Sequence, residues 1–139
     1  MINRTSLFAL RVFALSMFAL PLLAACATAG AAPARLVGTT WSFVLIDGQR
    51  PVSSRATVTI TARTIAANAG CNGMGGDLVI KPDRLVTGPI ISTQMYCDGV
   101  MEQEHAVGAL LGASPQYRVN GDRLTLTAPG HSAELTRIR

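Results

Sequence analysis

The stretch Gly70-Cys71-Asn72-Gly73-Met74-Gly75-Gly76 is central to the predicted domain, together with Ser92-Thr93-Gln94-Met95-Tyr96-Cys97 further along the chain. Each of the two segments carries one cysteine. The four glycines of the first segment allow positive φ, so we predict a tight strand reversal there. Asn72 suits a reversal because asparagine tolerates the left-handed region and bonds local backbone. The stretch from Gly70 to Cys97 is therefore predicted to clamp a small β-rich domain.

The N-terminal segment has the pattern of a secretory signal. Arg4 and Arg11 lie in its basic part, and the apolar run Val12–Leu20 is shorter than the roughly 20 residues of a membrane span. Its ending, Leu23-Ala24-Ala25-Cys26, resembles the lipobox of bacterial lipoproteins, which implies cleavage before Cys26 and acylation of that residue. Two or three acyl chains form a stable membrane anchor. An ordinary signal peptide with a chance cysteine is the alternative.

The N-terminal segment also predicts where the protein is located in the cell. Ala27 stands where a signal for inner-membrane retention usually has Asp, so we expect an outer-membrane lipoprotein with its domain in the periplasm. Residues 1–25 are then the signal peptide, residues 26–35 the lipidated cysteine with a flexible tether, and residues 36–139 a single domain. Without the leader, ten Lys/Arg stand against eight Asp/Glu, and the basic residues are scattered. A nucleic-acid partner is therefore not expected.

Alternation of apolar and polar residues predicts about eight strands in the domain. In the first strand, Trp41, Phe43 and Leu45 share the apolar face. In the segment before Asp98, the residues Ile91, Thr93, Met95 and Cys97 share a face. The segments with strand character are 39–46, 56–62, 64–67, 77–81, 84–86, 90–97, 116–119, 123–127 and 133–138. Turn signals at Asp47-Gly48, Asn120-Gly121 and Pro129-Gly130 separate several of them.

One helix is predicted, from about Gly99 to Leu111. Asp98 is the expected N-cap, since its carboxylate can accept from the free N–H groups of the first turn. Val100, Val107 and Leu111 form its apolar stripe. Gly112 and the Ser114-Pro115 pair are expected to end it.

The motifs occur in a recognisable order along residues 36–139. They are Leu36-Val-Gly-Thr-Thr-Trp41, Asp47-Gly48, Gly70-Cys71-Asn72, Ser92-Thr93-x-Met95-x-Cys97, Glu104 and Gly121-Asp122-x-Leu124-x-Leu126. This order resembles the META-domain, or HslJ-like, family of bacterial secreted and lipoprotein domains. Met74, Ala67 and Leu78 stand where the family commonly has Phe, Gly and an aromatic residue. These exchanges keep an apolar role at Met74 and Leu78 but weaken any claim that an aromatic ring binds a ligand.

The resemblance implies an α+β, mainly β fold. Its expected form is a strongly curved, open-barrel-like antiparallel sheet of about eight strands with one helix packed on it. It also implies no established catalytic activity, and no cofactor is expected. Some relatives are linked to heat shock and to tolerance of antibiotics, which suggests a role in envelope stress.

The two cysteines of the domain allow several interpretations. In an oxidising periplasm a disulfide between Cys71 and Cys97 is expected. Two separate buried thiols are an alternative, because free cysteine is favoured in protein cores. A zinc site with His105 and His131 has suitable ligand types but no known compact spacing. Catalysis by a Cys71 nucleophile with either histidine as base would need a free thiol, so a disulfide would abolish it.

Glu104 is the most unexpected residue of the helix because it lies on the apolar stripe. A buried carboxylate is costly unless it is bonded, so we predict that it accepts N–H groups near the glycine turn. The glycine-rich segment is not expected to bind phosphate, since a strand rather than a helix follows it. The predicted structural motif comprises Gly70, Asn72, Gly76, Thr93, Met95 and Glu104.

Three functions remain open at this stage. The leading one is a lipid-anchored, non-catalytic envelope domain that binds an envelope protein partner or supports stress tolerance. A carrier of a small apolar ligand would need a cavity of about 300 Å³ or more. A partner-binding module would instead need an exposed apolar patch of several hundred Å². A protease-inhibitor-like module is the third possibility.

Overall fold

The computed structural model describes residues 35–139. The predicted signal peptide, the acylated Cys26 and nearly all of the tether lie outside the described residues. In the part of the chain that is described, no helix has the length and apolar character needed to cross a membrane.

The described chain contains nine strands and one helix. The helix, α1, spans Met101–Gly112. The strands are β1 (Thr39–Ile46), β2 (Thr57–Ile60), β3 (Thr64–Asn68), β4 (Gly73–Ile80), β5 (Leu85–Thr87), β6 (Ile91–Ser92), β7 (Gln116–Asn120), β8 (Arg123–Ala128) and β9 (His131–Arg137). Each predicted strand segment therefore overlaps an observed strand, although several boundaries differ.

The strands form one antiparallel sheet in the order β5-β4-β3-β2-β1-β9-β8-β7, and β6 pairs with β4. The two ends of this order meet. The N–H of Leu85 donates to the carbonyl of Pro115 at 2.9 Å, and that of Tyr117 donates to Asp83 at 3.0 Å. The sheet is thus nearly closed into a barrel, and the predicted α+β, mainly β architecture is confirmed.

One hydrophobic core fills the inside of this curved sheet. Helix α1 packs against β1, β8 and β9, and it buries Val107, Leu110 and Leu111 there. Trp41 of β1 is fully buried, as is Leu36 just before the strand. Full burial of such side chains stabilises a fold by about 1.5–3 kcal/mol each. Because all these residues belong to one cluster, residues 35–139 carry their own core.

The first strand departs from strict alternation. Its pairing with β9 shifts register between Phe43 and Leu45. An extra residue of this kind reverses which face the following side chains point to. The predicted core position Leu45 is therefore only half-buried, while Ile46 is buried.

The prediction for the glycine-rich segment was only partly right. The reversal between β3 and β4 occupies residues 69–72, and of the four predicted glycines only Gly70 has positive φ, at 132°. The other three lie in β4. A Cβ at Gly75 would lie 2.6 Å from the carbonyl oxygen of Ile65, and one at Gly76 would lie 2.6 Å from that of Pro89. These two glycines therefore permit close approach of neighbouring backbone.

The helix begins later than predicted, at Met101 instead of Gly99. Its N-cap position is Val100, with no side-chain cap, so the expected capping by Asp98 is wrong. Gly99 adopts positive φ, at 72°, which places the preceding residues in a turn outside the helix. Glu102 and Glu104 do lie in the first turn, where carboxylates favour the helix dipole.

The predicted strand 90–97 is also shorter than expected. Only Ile91 and Ser92 pair with β4, so residues 93–97 do not form a strand face. We call residues 93–97 the hook, since they turn away from the sheet toward the start of the helix. A smaller shift affects the β7–β8 hairpin, where Asn120 pairs with Arg123 and the loop is Gly121-Asp122.

Candidate functional site

A buried polar cluster joins the β3–β4 reversal to the helix. Glu104 is 5% exposed and Asn72 is 2% exposed. Oε1 of Glu104 accepts the backbone N–H of Cys71 at 3.0 Å and that of Asn72 at 2.5 Å. Its Oε2 accepts the side-chain amide of Asn72 at 2.6 Å. The prediction that Glu104 accepts N–H groups near the glycine turn is thus confirmed.

The same asparagine fixes the hook. Its Nδ2 also donates to the carbonyl of Met95 at 2.8 Å, while its Oδ1 accepts the N–H of Met95 at 2.8 Å. That oxygen accepts the hydroxyl of Thr93 as well, at 2.8 Å. Asn72 therefore stands in for a strand partner at Met95, whose backbone N–H and carbonyl it satisfies where the hook leaves the sheet.

A covalent bond closes the hook. Cys71 and Cys97 form a disulfide with their Cα atoms 6.3 Å apart, as predicted. On the helix, the side-chain nitrogen of Gln103 donates to the carbonyl of Ala69. The side-chain oxygen of Gln103 accepts the backbone N–H of Val52 at 2.9 Å. The predicted motif residues Gly70, Asn72, Thr93, Met95 and Glu104 are thus gathered around one junction of reversal, hook and helix. Gly76 lies farther along β4, beside Pro89.

An apolar groove opens beside this junction. It has a volume of about 520 Å³ and lies between the hook and α1. Its lining residues are Asn72, Met74, Ile90, Ser92, Thr93, Gln94, Met95, Tyr96, Met101, Glu104, His105 and Gly108. Of these, Met95 and Tyr96 are 57% and 81% exposed. The buried cluster therefore forms one end of a groove that carries exposed apolar side chains.

The two histidines have separate environments. His105 is exposed and lines the groove. His131 lies at the start of β9, where its Nδ1 is 2.8 Å from Oδ2 of Asp47. Burial alone would raise the pKa of Asp47. The hydrogen bond from the N–H of Ser132 and the interactions with His131 lower this pKa by more, so that it lies below its usual value.

The alternatives for the cysteines can now be compared with the geometry. Both sulfurs belong to the disulfide, so neither is a free thiol or a thiolate ligand. Within residues 35–139, no three His, Cys, Asp or Glu side chains come together as a metal site. The zinc ligand set formed by Cys71, Cys97, His105 and His131 is therefore not assembled.

Several groove residues were not singled out from the sequence. Tyr96, Met101 and Ile90 come from different elements, and no periodic pattern relates them. One signal was present: the departure at Met74 places a flexible thioether where the family commonly has Phe. Gln103 shows no such signal, because its two partners lie far away in sequence.

The fold and its site define a class: a small, nearly closed β-barrel with one helix packed on the sheet, and with an apolar groove beside the disulfide that joins the β3–β4 reversal to the hook. The model of the META domain family matches residues 34–139. The protein therefore belongs to the META domain family.

Comparison with solved structures supports the fold. One similar chain, described as an NMR structure of the protein, has a TM-score of 0.65 and 15% identity, with 75% of this chain and 92% of that chain covered. A second NMR structure, of a protein from Burkholderia xenovorans, has a TM-score of 0.58 and 23% identity, with 78% and 87% covered. A search of curated proteins finds no match. At these identities the likeness to the solved structures extends to the fold alone.

Proposed function

We propose that the protein is a lipid-anchored, non-catalytic domain of the cell envelope that binds a protein partner through the groove. The observation that carries this proposal is the pair of exposed apolar side chains Met95 and Tyr96, which line the groove. Exposed apolar side chains gathered in one place mark interaction sites more often than scattered ones do. The expected link to envelope stress, to heat and to antibiotics belongs to this proposal.

The rigidity of the hook supports a binding role. Two hydrogen bonds between Asn72 and the backbone of Met95, one from the Thr93 hydroxyl to Asn72 and the disulfide at Cys97 hold the hook, although residues 93–96 are exposed. A surface that is ordered before binding loses less conformational entropy on association. Tyr96 is the best anchor, since tyrosine combines a large apolar surface with few rotatable bonds.

A non-catalytic role agrees with the state of the reactive groups. The disulfide leaves neither cysteine as a nucleophile. Both carboxylate oxygens of Glu104 are engaged by N–H donors. The buried polar groups at the groove are thus used to hold the backbone in place.

Site-specific crosslinking in cells tests the proposal. A photoreactive amino acid at Tyr96 should trap a partner of defined mass in the lipidated protein. Val44 of β1 is the matched control, because it is 44% exposed but borders a different depression with Arg123 and Glu134. Equal crosslinking from both positions, or none from Tyr96 under heat or antibiotic stress, would contradict partner binding at the groove.

The anchor is tested separately. Mass spectrometry of the mature N-terminus should show an acylated Cys26, and fractionation should place the protein in the outer membrane. A Cys26→Ser variant should lose the acyl chains and leave the membrane fraction. An unmodified N-terminus in the parent protein would rule out the lipid anchor while leaving the groove proposal open.

A small apolar ligand is the second candidate for the groove. The volume of about 520 Å³ supports it, because ligand pockets generally measure about 300–1,000 Å³. Lipid extraction and mass spectrometry of protein purified from its native envelope would reveal a co-purifying compound. The protease-inhibitor alternative stays a prediction, and no feature of the described residues supports it.

A further inference from the structure

All the methionines of the described chain lie in one place. The sequence has five methionines, and the three that follow the predicted leader are Met74, Met95 and Met101. Each of them lines the groove. They come from β4, the hook and α1, so neither sequence proximity nor a shared element accounts for their meeting. A thioether differs from other apolar side chains in being a soft metal donor.

The helix side of the groove combines a thioether with an imidazole. Met101 and His105 are four residues apart on α1, so their side chains lie on the same face. Gly108 continues this face, and a Cβ there would lie 3.9 Å from Sδ of Met74. The sulfur of Met74 therefore lies against the same side of the helix.

The opposite wall supplies the third thioether. Met95 is 57% exposed, but its backbone is fixed by two hydrogen bonds to Asn72. Sδ of Met101 accepts a weak bond from the N–H of Cys97 at 3.5 Å, which keeps that side chain near the hook. Because a thioether sulfur has two lone pairs, this contact leaves one free for a metal ion.

The charge of the groove favours a cation. Glu104 lines it, and among residues 35–139 this carboxylate takes part in no salt bridge. Its bonds come from amide N–H groups, which carry no net charge. A positive ion in the groove would therefore be attracted to it, and the low dielectric of a partly buried site strengthens that attraction.

We propose that the groove is a binding site for Cu(I), held by the thioether sulfurs of Met74, Met95 and Met101 with the imidazole of His105. Thioethers and imidazoles are the neutral ligands that suit this soft ion. Thioethers need lose no proton to bind, unlike thiols, and they stay available when the cysteines are oxidised. The metal ion would occupy the same groove as the proposed partner, but its binding does not require that partner.

Metal titration tests the site directly. The chain from residue 26 onward is used with Cys26→Ser, because an unacylated thiol at that position would itself bind Cu(I). Cu(I), kept reduced by ascorbate without oxygen, is titrated in competition with a chromogenic Cu(I) chelator. Ag(I), an air-stable ion with the same preference for sulfur, is followed through the methionine methyl resonances. We expect a single equivalent of either ion to bind and all three methyl signals to shift.

Leucine variants separate metal binding from apolar contact. Met95→Leu and Met101→Leu keep the volume and apolar character of the groove but remove a sulfur, and each should weaken Cu(I) binding by about tenfold or more. Tyr96→Phe is the matched control and should bind Cu(I) like the parent. The Met101→Leu variant, at a residue outside the exposed pair Met95 and Tyr96, should still crosslink to a partner from position 96, so the two proposals can fail independently.

Three outcomes would overturn the metal site. The first is failure of the parent to compete with the chelator. The second is unchanged affinity in the Met95→Leu, Met101→Leu double variant. The third is loss of binding only in His105→Gln, which would identify a chance contact with an exposed histidine. Binding by the parent that falls in the leucine variants, with the chain still folded by circular dichroism, supports the site.

Discussion

Glu104 shows how a single buried carboxylate can organise distant parts of a chain. Its two oxygens accept three N–H groups from residues 71 and 72. Asn72 in turn forms hydrogen bonds with Thr93 and Met95 of the hook. The sequence pointed to Glu104 because a carboxylate on an apolar stripe requires partners. It did not reveal that Asn72 would supply one of them, because a side-chain amide can bond in many directions.

Removing the carboxylate should destabilise the protein. In Glu104→Gln, an amide nitrogen would face the Nδ2 group of Asn72, and a flip of that asparagine would break its bonds to Thr93 and Met95. We expect a loss of about 1–3 kcal/mol, and a larger loss in Glu104→Ala, which leaves three buried donors without an acceptor. Urea unfolding measures both. Glu102→Gln, on the exposed side of the same turn, should change stability by less than about 0.5 kcal/mol.

Asp47 predicts a dependence of stability on pH. Its pKa is lowered in the folded state, below the usual value of about 3.9. A lowered folded pKa stabilises the protein above the unfolded pKa, and this contribution is lost as the pH falls through the folded pKa. Asp47→Asn should therefore be less stable than the parent at pH 7, and the difference should shrink in strong acid.

Thermal melts of both proteins across the acid range measure this difference. Asparagine is the suitable replacement because position 47 has positive φ, at 48°, which asparagine tolerates. A stability difference that stays constant down to the lowest pH would show that the ionic contacts of Asp47 contribute nothing.

At the scale of elements, alternation predicted strands well wherever one face is buried. Strands β2, β8 and β9 follow this rule, since their apolar residues alternate with exposed ones. The rule failed in the first half of β4, where glycines leave no side chains to alternate. It failed in the hook for a different reason, because the backbone of Met95 bonds to the side chain of Asn72 instead of to a strand.

The glycines of β4 make a direct test of close strand approach. Gly75→Ala should cost about 1–3 kcal/mol, since its Cβ would meet the Ile65 carbonyl and the strands would have to separate. Gly73→Ala is the matched control: nothing lies within 4 Å of a Cβ there. Alanine is favoured over glycine in a strand by roughly 0.5–1 kcal/mol, so this control should be neutral or slightly stabilising.

Chemical unfolding of the two variants, compared with the parent, gives the answer. Equal losses at positions 73 and 75 would mean that the reversal needs glycine for its flexibility. A loss confined to position 75 would mean that the pairing of β3 and β4 needs it for space.

In the whole molecule, no local sequence pattern indicates that the two ends of the sheet meet. Two backbone hydrogen bonds join the chain before and within β5 to the start of β7, and α1 packs against β1, β8 and β9. The resemblance implied this architecture, whereas the strand pattern alone gave no order of strands. The groove was beyond prediction, because it depends on where the hook leaves the sheet relative to the helix.

The disulfide joins the β3–β4 reversal to the hook, so its removal should have both a global and a local effect. The bridge spans 26 residues, for which loop entropy predicts a loss of about 3.5 kcal/mol in a Cys71→Ala, Cys97→Ala variant. Strands β1, β8 and β9 and the core of α1 do not include the bridge, so the sheet should stay folded. The hook should loosen, because only hydrogen bonds would still hold it.

Hydrogen exchange distinguishes the two effects. The N–H of Met95, bonded to Asn72, should exchange much faster in the variant under native conditions. The N–H groups of β9 should also exchange faster, but only to the extent expected from the lower free energy of unfolding of the whole domain. If protection falls by one common factor at all these positions, the bridge stabilises the whole fold without ordering the hook. Binding at the groove would then not depend on the disulfide, and the variant should still crosslink from position 96 as efficiently as the parent.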